Sequence, residues 1–132
     1  MSDASKIKNL ILREMREIYY GDRTNIKDWM GFPIDDENRP SYHHISKCMD
    51  LKKNDEEYYA TVNNGAYLGK KSHELLHQLE QVDREMYELW QSLFRSINHM
   101  RTYPSPEIWE LISIYQEATL NILKEKSNQK QR

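Results

Sequence analysis

The spacing of hydrophobic positions changes several times along this chain, and each change marks an element. Between residues 3 and 20, Ile7, Leu10, Ile11, Met15 and Ile18 recur every three or four positions, with Lys, Arg and Glu between them. That spacing predicts an amphipathic helix, and Gly21 with Asp22 ends it. The period is lost over residues 22–40, where Gly31, Pro33, Pro40 and the acidic turn "IDDENRP" predict an irregular connector. "PSYHHI" predicts a short strand. "EYYATV", with its Tyr, Thr and Val content, predicts a second. The polar stretch "SKCMDLKKNDE" between them reads as an overlong hairpin tip. Gly65 and Gly69 then bracket an expected turn.

A helical stripe of Leu75, Leu76, Leu79, Val82, Met86, Leu89, Trp90, Leu93, Phe94 and Ile97 predicts one long helix over residues 71–99. In "YPSPEIWELI", Ser105 can cap a further helix, Pro106 suits its first turn, and Glu107 favours its positive end. That helix carries Ile108, Trp109, Leu111, Ile112, Tyr115 and Leu120, and fades into the tail "KSNQKQR". The order α, β, β, α, α, without internal repeats, predicts an α+β fold.

Composition narrows the picture. At 132 residues the chain suits a single domain with one modest core. With 38% hydrophobic and 30% charged residues it is expected to fold and to be soluble. No apolar run reaches the length of a membrane span, and "MSDASKIKNL" lacks the apolar core of a secretory signal. No membrane partner and a cytoplasmic location are therefore expected. The formal net charge of −2 argues against tight nonspecific wrapping of DNA. It leaves room for a small site that grips a phosphate through a metal ion, because the ion brings its own positive charge. Cys48 is the only cysteine, so an intrachain disulfide and a paired-cysteine zinc knuckle are excluded, and Cys48 reads as an incidental thiol.

The candidate chemistry lies in the histidines. Four of the five fall in two clusters, His43–His44 in the first predicted strand and His73 and His77 in "SHELLHQ". Helix positions i and i+4 share a face, so His73 and His77 can direct two imidazoles at one ion. Two ligands rarely hold a divalent ion tightly, and the other cluster is the only histidine source of a third. Adjacent strand residues point to opposite faces, so one of His43 and His44 can ligate while the other serves as a general base. The set reads as three nitrogen ligands, an open coordination position and one base.

His-His on a strand, then Asn64, then His73 nine residues later and His77 four beyond that resembles the HNH endonucleases. These are the ββα-metal (His-Me finger) nucleases that include the colicin DNases and many phage-encoded enzymes. "RPSYHHI" and "NGAYLGKKSHELLH" are similar to the phage-type members. The resemblance covers residues 39–80. It implies a ββα-metal core of a β-hairpin plus long helix. An N-terminal helix and connector (1–38) and helical support (81–126) would flank the core, and a polar tail (127–132) would follow.

It further implies His43, His73 and His77 as metal ligands, His44 as the base that activates water, and Asn64 as the residue that ties the loop between second strand and helix. The implied activity is metal-dependent hydrolysis of DNA, in a bacterial cell or a phage-infected host. One divalent ion is needed: nitrogen ligands favour Zn²⁺, Ni²⁺, Co²⁺ or Mn²⁺ for binding, with Mg²⁺ or Mn²⁺ possible for turnover. DNA is the implied partner, and a protein partner or a homo-oligomer could add DNA affinity.

The chain departs from many members in lacking structural cysteine pairs, and in having "LKKNDEE" where a Gly-Gly loop is common. Taken singly, each histidine pair is a surface doublet and no more. The joint spacing with Asn64 is what favours a site, and the alternative is an inactive ββα-metal module that binds DNA or a protein. Asn63 competes with Asn64, and the nine-residue offset favours Asn64. Among the flanking cations Arg39, Lys47, Lys70 and Lys71, Arg39 is the preferred phosphate contact. His99 reads as a helix-end cation. Trp90, Phe94 and Trp109 read as core.

Overall fold

The N-terminal amphipathic stripe forms α1 (Asp3–Tyr20), and the "PSYHH" segment forms β1 (Pro40–His44). The computed structural model describes residues 3–46 and 61–130. Most of the expected hairpin tip, with Lys47 and Cys48, and residues 57–60 of the expected second strand lie outside these residues. At the far end of that expected strand, Val62–Asn64 form a 3-10 turn. The partner of β1 is β2 (Gly65–Gly69), antiparallel, with Tyr42 opposite Tyr67 and His44 opposite Gly65. Helices α2 (Lys70–Val82), α3 (Arg84–Met100) and α4 (Pro106–Lys130) follow. The chain is thus α+β, with a two-stranded antiparallel sheet and four helices among the described residues.

Three expectations are corrected. The segment between Gly65 and Gly69 is a strand and not a turn. Its glycines are there for contact: a Cβ on Gly69 would overlap the side-chain amide of Asn38, and one on Gly65 would come within 2.5 Å of the Tyr42 ring. Second, the long helix is two helices. Asp83 leaves helical geometry (φ −151°, ψ 88°), and its carboxylate accepts the Met86 N–H at 3.0 Å as an N-cap. Third, residues 127–130 of the expected tail continue α4.

The sheet lies between α1 and the α2–α3 pair. On one face Tyr67 packs on Tyr20 of α1, with ring centres 5.3 Å apart. On the other, His43 meets Phe94 of α3 and His73 of α2. Trp29, Trp90 and Phe94 are fully buried between them. Trp90 stacks on Phe94, and its indole N–H donates to the Thr119 hydroxyl at 2.8 Å, so those aromatics are core. Leu10, Leu89 and Leu120, assigned to apolar stripes, are exposed.

The irregular connector sets the start of α2. Asp28, fully buried, accepts the N–H groups of Met30, Phe32 and Gly69. Asn38 accepts the Lys71 N–H at 2.9 Å and donates to the Pro33 carbonyl. The Arg39 carbonyl accepts the Lys70 N–H at 2.8 Å. These first amide groups, which a helix cannot satisfy internally, are taken by the chain itself. No helix among the described residues is long and apolar enough to cross a membrane.

Candidate metal and catalytic site

β1 and α2 bring the two histidine clusters together. Strand alternation puts Ser41 and His43 on the α2 side of the sheet and Tyr42 and His44 on the other. The His44 ring packs edge-on against Tyr42, with centres 4.8 Å apart. On the α2 side, His43 Nδ1 lies 3.3 Å from His73 Nε2. His43 is buried, at 4% exposure, and His73 is half-buried.

The far nitrogen of each ring is also held. His43 Nε2 is 2.6 Å from Gln91 Oε1, and His73 Nδ1 is 3.0 Å from the Ser41 hydroxyl. The Gln91 amide nitrogen donates to the Ile45 carbonyl. This arrangement needs the break at Asp83. On a straight helix Gln91 would stand about 27 Å from His73, at 1.5 Å per residue. In the fold the two approach opposite edges of one imidazole.

Burial pushes the His43 imidazole down to about 3, assisted by the neighbouring His73, His77 and His44 and opposed by the Gln91 hydrogen bond. Burial likewise lowers His73 to about 4, with His77, Lys8 of α1 and His44 adding to the effect. Both rings are neutral at pH 7, which is the form that ligates a metal.

A tetrahedral ion with bonds of ~2.0–2.1 Å to imidazole nitrogen needs its ligand atoms roughly 3.3–3.4 Å apart. The His43–His73 separation meets that requirement. His77 is exposed and stacks on His73, with centres 4.7 Å apart and planes at 25°. Near-parallel rings send their lone pairs along near-parallel lines, so His77 would have to turn to share the ion. Accordingly, no group of three His, Cys, Asp or Glu side chains among the described residues stands in a ready ligand arrangement. The separation suits two imidazole ligands, but in the hydrogen-bonded pair the lone pair lies along the N–N line, so both rings would tilt to converge on an ion, with the third ring beside them.

Asn64 lies just before β2, and it ties the two strands to each other. It does not tie the second strand to the helix. Its side-chain oxygen accepts the Ser46 N–H at 2.9 Å, its amide donates to the Ser46 carbonyl at 3.1 Å, and its own carbonyl accepts the Ile45 N–H. The two residues after His44 are thereby fixed. Asn63 instead accepts from the Arg101 guanidinium, away from His44. Arg39 is exposed immediately before β1, on the same strand parity as Ser41 and His43. Lys70 is exposed, Lys71 pairs with Glu37 at 3.5 Å, and His99 is exposed in the last turn of α3.

Sequence reasoning missed Gln91, Ser41 and Lys8. Gln91 sits in a helical stripe where a lone buried amide is the only signal. Ser41 could have been found as the residue two before His43 on the same strand face. No family model, curated protein or solved structure matches this chain.

Proposed function

We propose that this protein is a metal-dependent endonuclease of the HNH type that hydrolyses DNA phosphodiester bonds, built on a ββα-metal arrangement of β1, β2 and α2. The observation that carries the reading is the facing pair His43 Nδ1 and His73 Nε2, 3.3 Å apart, with His44 next in sequence on the opposite strand face. His43 and His73 would hold the ion, and His77 would turn in as third ligand. A bound divalent ion would neutralise a phosphodiester oxygen and the leaving 3′ oxygen.

The chain's own residues do the rest. His44, as the neutral imidazole, takes a proton from water while the water oxygen bonds to phosphorus and the P–O3′ bond breaks. Asn64 holds the backbone beyond His44, which keeps that ring in line. Arg39, exposed just before β1, is the proposed phosphate contact, and Lys8, whose charge reaches His73, is a second cation on that side.

The test is cleavage of supercoiled plasmid by purified protein, after chelator treatment and readdition of Mg²⁺, Mn²⁺, Ni²⁺ or Zn²⁺. Nicked or linear product from wild type, and far less from His44→Ala, is expected. Calorimetry is expected to show Zn²⁺ and Ni²⁺ binding more tightly than Mg²⁺, because the donors are nitrogen. Metal binding without any cleavage would leave the inactive binding module.

A further inference from the structure

Gln91 lies on α3, outside the histidine and asparagine pattern, yet its amide touches one of the two facing imidazoles. It is 5% exposed. Its contacts form a chain whose hydrogen positions are determined from one end. The Ile45 carbonyl can only accept, so the Gln91 atom facing it is the NH₂ group. The Gln91 oxygen therefore faces His43 Nε2, and that nitrogen must carry the hydrogen. His43 Nδ1 is left with its lone pair, directed at His73 Nε2. In the metal-free protein, His73 Nε2–H donates to it, and His73 Nδ1 accepts the Ser41 O–H. No other assignment satisfies all four contacts.

We infer that Gln91 is a positioning residue that locks His43 as the Nε2–H tautomer and so presents Nδ1 as its metal-ligating atom, while the Ser41 hydroxyl is the partner that reverses. When His73 Nε2 becomes a ligand, its hydrogen moves to Nδ1. The Ser41 hydroxyl then turns from donor to acceptor. A hydroxyl can do either, whereas Gln91, anchored on Ile45, cannot turn. One ligand is preset and the other adapts. This assignment deepens the metal-site reading above and rests on it.

The test begins on wild type. Long-range ¹H–¹⁵N correlation on histidine-labelled, chelator-treated protein at pH 7 reads the tautomer of each ring. His43 and His73 are both expected as Nε2–H. With Zn²⁺ added, His43 should keep Nε2–H and His73 should change to Nδ1–H. Gln91→Leu should release His43 into a tautomer mixture and weaken Zn²⁺ binding by about 10–100-fold, the usual effect of losing a hydrogen bond behind a ligand.

His43 as Nδ1–H in metal-free wild type would overturn the inference with no variant needed. So would Gln91→Leu with unchanged tautomer and affinity, and that result would leave the metal site standing. Wild type that binds no Zn²⁺ while His43 is Nε2–H would instead overturn the metal-site reading, and the positioning role with it.

Discussion

The two faces of β1 carry adjacent histidines in opposite circumstances. On the α2 side, His43 has both ring nitrogens assigned to protein partners, Gln91 and His73, and is buried. On the other side, His44 is half-buried with its ring edge-on to Tyr42, and Asn64 fixes the two residues that follow it, Ile45 and Ser46. A ligand needs a fixed lone pair, and full hydrogen bonding of the ring supplies one. A base must take up a proton and pass it on, and the Asn64 contacts hold the main chain next to it. The sequence places both residues on one five-residue strand, and strand alternation alone separates their environments.

The largest expected effect tests that separation. His44→Ala should lower cleavage by about 10²–10⁴-fold, the range for a general base, with Zn²⁺ affinity unchanged. His43→Ala should lose cleavage and metal affinity together. Loss of metal from His44→Ala with retention in His43→Ala would exchange the two roles.

Next in size is the clamp. Asn64→Ala removes both side-chain hydrogen bonds to Ser46 and should cost cleavage roughly 10²-fold, the effect of about an ångström of misplacement. Zn²⁺ affinity should persist, because His43 and His73 are held elsewhere. Asn63→Ala, which loses a contact to Arg101, should leave the rate near wild type. A silent Asn64→Ala would detach the clamp from catalysis.

What was legible in the sequence follows the same division. Local periodicity placed α1, β1 and α4, and the i, i+4 rule put His73 and His77 on one helix. The errors arose where long-range contact overrides local signal. Gly65 and Gly69 look like turn residues, yet Tyr42 and Asn38, far back in the chain, are what exclude a side chain there. The apolar stripe of residues 75–97 runs through Asp83 because both helices bury the same side. Asp83 as a capping residue with the acidic Glu85 in the first turn was the available sign of the break. Gln91 was invisible for a related reason: its value depends on α3 turning back to the sheet, which no spacing along a single helix encodes.

The buried pair also makes stability depend on pH. His43 and His73 titrate at about 3 and about 4 in the folded chain, against ~6.5 when unfolded. Between those values the unfolded chain binds more protons. Their contribution is therefore complete above pH 6.5 and is lost as pH falls toward 4. Burial raises the Asp28 carboxyl, which acts in the opposite sense, so the measurement is a comparison. Urea midpoints of chelator-treated wild type should fall more steeply between pH 6.5 and 4 than those of a His43→Gln variant. Parallel profiles would show that His43 is not held neutral by the fold.

The smallest expected effect falls on the ligand that the fold prepares least. His73 and His77 lie one helical turn apart, but among the described residues only His73 has a partner for its far nitrogen and a facing imidazole within 3.3 Å. His77 is exposed, and to ligate it must leave the stack and give up rotamer freedom worth on the order of 1 kcal/mol. Part of what its nitrogen contributes is offset by that ordering. His77→Ala should therefore weaken Zn²⁺ binding less than His73→Ala, by roughly a factor of five if the two bonds are otherwise equal. Calorimetry on both variants checks this. If His77→Ala loses as much affinity as His73→Ala, the exposed ring is held in place on metal binding by contacts that compensate its ordering.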